Sequence, residues 1–148
     1  MTIDRKVESA RQALRIAFGV VPFVAGLDKF FNLLADWPAY LSPAAQAILP
    51  VSSHTFMHVV GVVEMAVGLA ILTRWTVLGA YVAAAWLVAI ALNLVASGKF
   101  FDVAVRDLVM AIAAYTLAVL TEASASTRAV ADGAIGWQQD HRRVGKVA

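Results

Sequence analysis

The segment Val103-Ala104-Val105-Arg106-Asp107-Leu108-Val109-Met110-Ala111-Ile112-Ala113-Ala114 decides the fold of this chain. It is almost wholly apolar, and the apolar run continues to Leu120. This is close to the roughly 20 residues that a helix needs to cross a bilayer. A charge inside such a segment costs at least ~2.5 kcal/mol unless it meets a partner or water. The segment therefore predicts a membrane span whose arginine and aspartate meet other polar groups.

The composition fits a membrane protein of one domain. The chain has 148 residues, of which 61% are hydrophobic and 15% charged, whereas about 25% of a typical globular domain is charged. It has no cysteine, which excludes disulfides, thiol redox catalysis and thiolate metal sites. The net charge of +2 does not indicate nucleic acid binding, because the basic residues are concentrated near the two termini. The charged start and the long first apolar run also differ from a signal peptide.

The hydropathy pattern predicts an all-α fold, a four-helix antiparallel transmembrane bundle. A helical lead-in over residues 1–12 precedes the bundle of residues 13–121, and a polar, basic tail follows over residues 122–148. Short turns separate the last three spans, so spans two and three, and three and four, should be neighbours. The four spans are expected at about residues 13–34, 54–72, 77–96 and 103–120.

The longest connection, residues 35–53, predicts a short helix at the membrane interface. Trp37 and Tyr40 are typical interface anchors. Ser42 precedes a proline and is expected to cap a helix over Ala44–Leu49. This helix should lie on the membrane surface or fold over the mouth of the bundle, and Ser52 or Ser53 should cap the next span.

The distribution of lysine and arginine predicts the orientation of the bundle. Four spans place both termini on one side, and that side carries nearly all the basic residues outside the spans. By the positive-inside rule both termini are cytoplasmic, which corresponds to a bacterial-type inner membrane. The long connection and the turn at residues 97–102 then face outward.

Polar side chains lie within the spans, and most are near the predicted outer face. Glu64 lies one or two turns deeper than the others, and its carboxyl group could accept or donate a proton. Arg106 is expected within hydrogen-bond reach of a carboxylate on another helix, with Glu64 and Asp28 the leading candidates. The candidate site residues are Asp28, Lys29, Asn32, His58, Glu64, Asn93, Arg106 and Asp107.

Two interpretations of this cluster remain open. In the first, the charges neutralise one another and fix the packing of the helices, as buried ion pairs do in some proteins. In the second, they form a pocket for a polar headgroup, with Glu64 and His58 handling protons. Lys29, Asn93 and Arg106 would then donate hydrogen bonds to carbonyl oxygens.

Cofactor sites within the chain itself are not indicated. His54 and His58 lie one turn apart, but such a pair near a helix end is more often interfacial than metal-binding, so no metal is predicted. The spans contain no pair of histidines suited to haem, so any electron carrier must come from a partner. A transporter is less favoured, because the spans show no inverted repeat and no break beyond Pro22.

Four short motifs resemble the DoxX family of small membrane proteins. The first span contains Arg15-Ile16-Ala17-Phe18-Gly19 and Ala25-Gly26-Leu27-Asp28-Lys29-Phe30. The second span contains Gly61-Val62-Val63-Glu64-Met65-Ala66-Val67-Gly68, and the fourth contains Arg106-Asp107-Leu108. These motifs resemble the family's patterns in order along the chain, and the resemblance covers roughly residues 11–121.

The resemblance implies a four-helix inner-membrane protein and points to redox chemistry. The family takes its name from a subunit of an archaeal thiosulfate:quinone oxidoreductase, and other members are linked to redox and stress-related membrane complexes. Its shared polar positions fall on Lys29, Glu64, Arg106 and Asp107. The resemblance thus implies a subunit of a quinone-associated complex, or a homo-oligomer, with no covalently bound cofactor and with a quinone or lipid headgroup as ligand. The alternative is a non-catalytic anchor or stabilising subunit.

Overall fold

The computed structural model describes residues 3–144, with side chains described for residues 4–127, 129 and 130. Over this range it is all-helical, as predicted, and no strand is present. Residues 37–40 form a single 3-10 turn before the second helix. The α-helices are α1 (Ile3–Asp28), α2 (Pro43–Ile48), α3 (Ser53–Leu72), α4 (Thr76–Ala96) and α5 (Phe101–Val144).

Four of these helices are long and apolar enough to cross a membrane, and the chain is accordingly a multi-pass membrane protein. The segments that meet this condition are Asp4–Asp28, Ser53–Leu72, Thr76–Ala96 and Phe101–Thr127. Helix α1 packs mainly against α3, and α4 packs mainly against α5, while α3 and α4 also meet. The predicted neighbours are therefore confirmed.

The α1–α3 interface is close because glycines face each other across it. A Cβ added at Gly61 would lie 2.5 Å from the carbonyl oxygen of Gly26, and one at Gly68 would lie 2.5 Å from that of Gly19. Small residues of this kind let helix backbones approach in a membrane, where packing replaces the hydrophobic effect as the main attraction between helices. The contact brings the end of α1 next to the middle of α3.

Helix α1 ends at Asp28, whereas the hydropathy pattern carried the first span on to residue 34. The Asp28 carboxylate accepts hydrogen bonds from the backbone N–H groups of Leu33 and Leu34, both at 3.0 Å. Asn32 turns the chain with a positive φ of 52°. A side chain that caps the following backbone in this way competes with continuation of the helix, and apolar character alone does not reveal it.

The connection between α1 and α3 folds over one end of the bundle, which we call the loop end. The Ser42 side chain accepts a hydrogen bond from the Ala45 N–H, and the Ser52 side chain accepts one from the Thr55 N–H, so both predicted caps are confirmed. Tyr40 contacts the ring of Phe100 at 4.6 Å between centroids. The 3-10 turn thus lies over the mouth of the bundle, and the short helix α2, which has no buried residue, contributes Ala45 to the cavity wall there.

The opposite end, where the turn at residues 73–75 joins α3 to α4, is the turn end. It contains a dry apolar core in which Ile71 and Leu117 are fully buried. Arg15 closes this end by donating hydrogen bonds to the carbonyl oxygens of Ile71, Leu72 and Thr73 at 2.7–3.0 Å. These carbonyls belong to the last turn of α3, where no intrahelical partner is available.

Helix α5 continues beyond its membrane-spanning part. The tail predicted to begin at residue 122 extends this helix as far as Val144. The sequence of this tail also predicts that Trp137 docks a helix on the bilayer; that side chain lies outside the described residues, as do the basic side chains of Arg142, Arg143 and Lys146.

Candidate functional site

A cavity of about 600 Å³ lies between the four membrane helices and extends to the loop end. Its walls are mostly apolar, and the covering connection contributes Trp37, Tyr40, Leu41 and Ala45. Five of the eight candidate site residues line it, so the structure brings together residues from all four spans. The lining side chains that carry polar atoms are Lys29, Trp37, Tyr40, Glu64, Trp86, Asn93, Arg106 and Asp107.

A buried ion pair links α1 to α3 at the wall of this cavity. The Lys29 Nζ atom lies 2.5 Å from Oε2 of Glu64, and Lys29 is only 4% exposed. The glycine contact between Gly26 and Gly61 makes this pairing geometrically available, because both charged residues lie within one helical turn of it. The Lys29 ammonium group also lies 3.7 Å from the centroid of the Trp37 ring, a cation–π contact.

Asp28 does not line the cavity and instead holds the connection in place. Its Oδ2 accepts a hydrogen bond from Nε1 of Trp37 at 2.8 Å, in addition to the two backbone bonds that end α1. The fixed Trp37 ring in turn lies against Lys29. Asp28 therefore positions the aromatic partner of the ion pair from outside the cavity.

The predicted pairing of Arg106 with a carboxylate on another helix is wrong. Its guanidinium lies 3.7 Å from Asp102, one turn earlier on the same helix, and its side chain is 74% exposed. Glu64 is already bound by Lys29, which extends from the helix that packs directly against α3. The sequence places both Lys29 and Arg106 at a depth suitable for pairing with Glu64. Which of the two pairs with it depends on which helix packs against α3.

Asp107 is the carboxylate of the cavity for which the described residues provide no cation. It is half-buried, and its neighbour in sequence, Arg106, pairs with Asp102. The charge that acts on Asp107 from across the cavity is that of Glu64, which repels it. A carboxylate in a membrane span without a partner is by default a candidate for function.

Asn93 lines the cavity but uses its amide to secure the covering connection. It accepts a hydrogen bond from the Ser42 N–H at 3.1 Å and donates one to the Tyr40 carbonyl oxygen at 2.8 Å. The predicted role as a donor to a ligand would therefore require one of these bonds to open.

Two other candidates, His58 and Asn32, lie outside the cavity. The His58 ring stacks on Phe30 at 4.8 Å between centroids and meets His54 edge-on at 5.2 Å. The Nε2 of His58 and the Oδ1 of Asn32 are buried without hydrogen-bond partners. Within the described residues, no group of three or more His, Cys, Asp or Glu side chains is arranged to hold a metal ion.

Trp86 is a polar residue of the cavity that the sequence analysis did not include among the candidates. It lines the cavity, and its Nε1–H group is buried without an acceptor. Ala83 precedes Trp86 and Ile90 and Asn93 follow it at helical spacing on α4, and all three line the same cavity. The signal that could have identified Trp86 is this shared face with Asn93, since a tryptophan on a polar face carries a hydrogen-bond donor.

Comparison of the chain with protein-family models, with curated proteins and with solved structures gives no match.

Proposed function

We propose that this chain is a DoxX-like membrane subunit of a redox-linked complex, and that its cavity binds a quinone headgroup. The observation that carries the proposal is an apolar cavity of about 600 Å³ with a few hydrogen-bonding groups in its wall. Small-molecule sites typically have this size and this combination of apolar surface and sparse polar groups. The proposal places the loop end in the outer leaflet of a bacterial-type inner membrane, with both termini cytoplasmic.

The polar groups suit the chemistry of a quinone. Its two carbonyl oxygens accept hydrogen bonds, and the free Nε1–H of Trp86 and the ammonium group of Lys29 are donors in the cavity wall. Glu64 is hydrogen-bonded to Lys29 and is the cavity carboxylate best placed to exchange a proton with a ligand near that pair. The electron carrier would belong to a protein partner, because the chain has no cysteine and its spans have no flavin motif and no pair of histidines suited to haem.

A second candidate function is that of a non-catalytic anchor or stabilising subunit. The closed ion pair between Lys29 and Glu64 favours it, since both groups satisfy each other without a ligand. A buried pair of this kind can fix how helices pack without supporting chemistry. In this case the cavity would be filled by lipid chains.

The two functions differ in what is purified with the protein. The wild type and two variants, Ala89→Trp and Ala66→Trp, would be extracted in mild detergent, and bound quinone measured by mass spectrometry. Both alanines are exposed, but Ala89 lines the cavity, whereas Ala66 on α3 does not. Binding in the cavity predicts quinone with the wild type and with Ala66→Trp, and at least tenfold less with Ala89→Trp. Equal quinone in all three would contradict the proposal. Protein partners retained by all three without quinone would favour the anchor.

A further inference from the structure

Two cations and two carboxylates line the cavity, but they do not all pair with one another. Four charged side chains contribute to its wall: Lys29, Glu64, Arg106 and Asp107. Lys29 is bound to Glu64, and Arg106 pairs with Asp102, which does not line the cavity. Among the described residues this leaves the negative charge of Asp107 without a cation.

The surrounding elements do not compensate Asp107. Helix α4 contains no charged residue, and α3 contributes only the repelling charge of Glu64. Lys29, the cation directly after the end of α1, is held by Glu64 at 2.5 Å. Asp36 and Lys99, in the connections at the loop end, are exposed and do not line the cavity. An unpaired carboxylate in a membrane span is costly, so a proton or a cation bound at Asp107 would lower that cost.

The cavity wall is suited to a cation surrounded by apolar groups. Aromatic rings attract cations to their faces, and the contact of Lys29 with Trp37 already shows this interaction at 3.7 Å. A small hydrated ion would lose its water against the apolar walls at high cost, whereas a large organic cation would bury apolar surface. The aromatic residues that line the cavity are Phe18, Trp37, Tyr40, Phe56 and Trp86.

We propose that this cavity binds a lipophilic monovalent cation, with Asp107 as the counter-charge, in exchange for a proton. At a pH below the pKa of the Asp107 carboxyl group, that group holds a proton in the empty cavity and is neutral. When the cation enters, the O–H bond breaks, the proton leaves to solvent, and the carboxylate faces the positive charge. The cavity gains the positive charge of the cation and loses that of the proton, so its net charge stays the same. A neutral quinone would leave this proton in place, so the inference goes beyond the proposed function.

The test is titration of the purified protein with tetraphenylphosphonium, followed by calorimetry in buffers of different ionisation enthalpy. The wild type should bind it and release about one proton per cation. The variant Asp107→Asn should bind at least tenfold more weakly and release none. The matched control, Asp36→Asn, removes an exposed carboxylate of the connection at the loop end that does not line the cavity, and it should behave like the wild type. Empty micelles provide the background.

The pH dependence provides a second measurement that does not rely on a variant. Exchange of one proton predicts that affinity for tetraphenylphosphonium falls by up to about tenfold per pH unit as the pH is lowered. The neutral analogue triphenylphosphine oxide should show no such dependence. Absence of binding to the wild type, equal binding to Asp107→Asn, or binding without proton release would each overturn the inference. Quinone retention is measured separately, so failure of either proposal leaves the other intact.

Discussion

The two ends of the bundle are built from the same four helices but hold together differently. At the turn end, Ile71 and Leu117 are fully buried, and Gly19 lies against Gly68. At the loop end the helices enclose a cavity, and the contacts across it are an ion pair and the hydrogen bonds of Asn93. Helices in a membrane associate through close packing. At the loop end such packing is provided by Gly26 against Gly61 and by a small buried cluster of Ala91, Leu94 and Ala104, and the polar contacts add to it around the cavity. The comparison shows that polar contacts hold the connection over the loop end while a cavity remains between the helices beneath it.

The largest effect is expected from breaking the ion pair at the loop end. Lys29→Met leaves Glu64 buried without a cation, and breaking a buried pair typically costs roughly 3–5 kcal/mol if the charge stays ionised. We expect a corresponding fall in the free energy of unfolding, measured in detergent. The double variant Lys29→Met with Glu64→Gln removes both charges and should recover much of the loss. A single variant as stable as the wild type would show that the pair does not hold this end together.

The sequence predicted the helices well because each apolar span is long and is bounded by strong turn signals. The caps at Ser42 and Ser52 were readable for the same reason, since serine before a helical segment is a local signal. The sequence alone did not identify the partner of Glu64. Its identity depends on which helix packs against α3, and the glycine contact of Gly26 with Gly61 becomes visible only when both helices are placed.

The second prediction, with a smaller expected effect, tests the close contact between α1 and α3. Gly26→Ala places a methyl group against the carbonyl oxygen of Gly61, a backbone atom that cannot rotate away. Overpacking of this kind costs about 1–3 kcal/mol, which outweighs the better helix propensity of alanine. Thermal unfolding should show a lower midpoint. The control Ala17→Leu changes an exposed position on the same helix and should leave the midpoint nearly unchanged. Equal midpoints for both variants would argue against the glycine contact.

A third, smaller effect concerns the connection that covers the cavity. Asn93→Leu removes the bonds to Ser42 and Tyr40, and a hydrogen bond contributes about 1 kcal/mol net. The connection should loosen while the turn end stays intact, so the change should be seen as faster hydrogen exchange confined to residues 40–42. The control Ser97→Ala removes a side-chain bond within the turn at the end of the same helix and should not affect these residues. Uniformly faster exchange over all four helices would instead indicate that Asn93 supports the whole bundle.

The smallest effect is expected at Arg106, the residue that the sequence placed at the centre of the cluster. Its guanidinium is exposed and pairs with an exposed Asp102 at 3.7 Å on the same helix, and surface pairs contribute about 0–1 kcal/mol. We therefore expect Arg106→Ala to lower the free energy of unfolding by less than about 1 kcal/mol, well below the effect of Lys29→Met. Adding Glu64→Gln should give no recovery, because the two residues are not partners. A loss as large as that of Lys29→Met, with recovery in the double variant, would mean that Arg106 reaches Glu64 within the membrane. Such a result would also remove the ground for treating Asp107 as a carboxylate without a cation. The variant Arg106→Ala therefore tests most directly how Arg106 differs from Lys29 at the loop end.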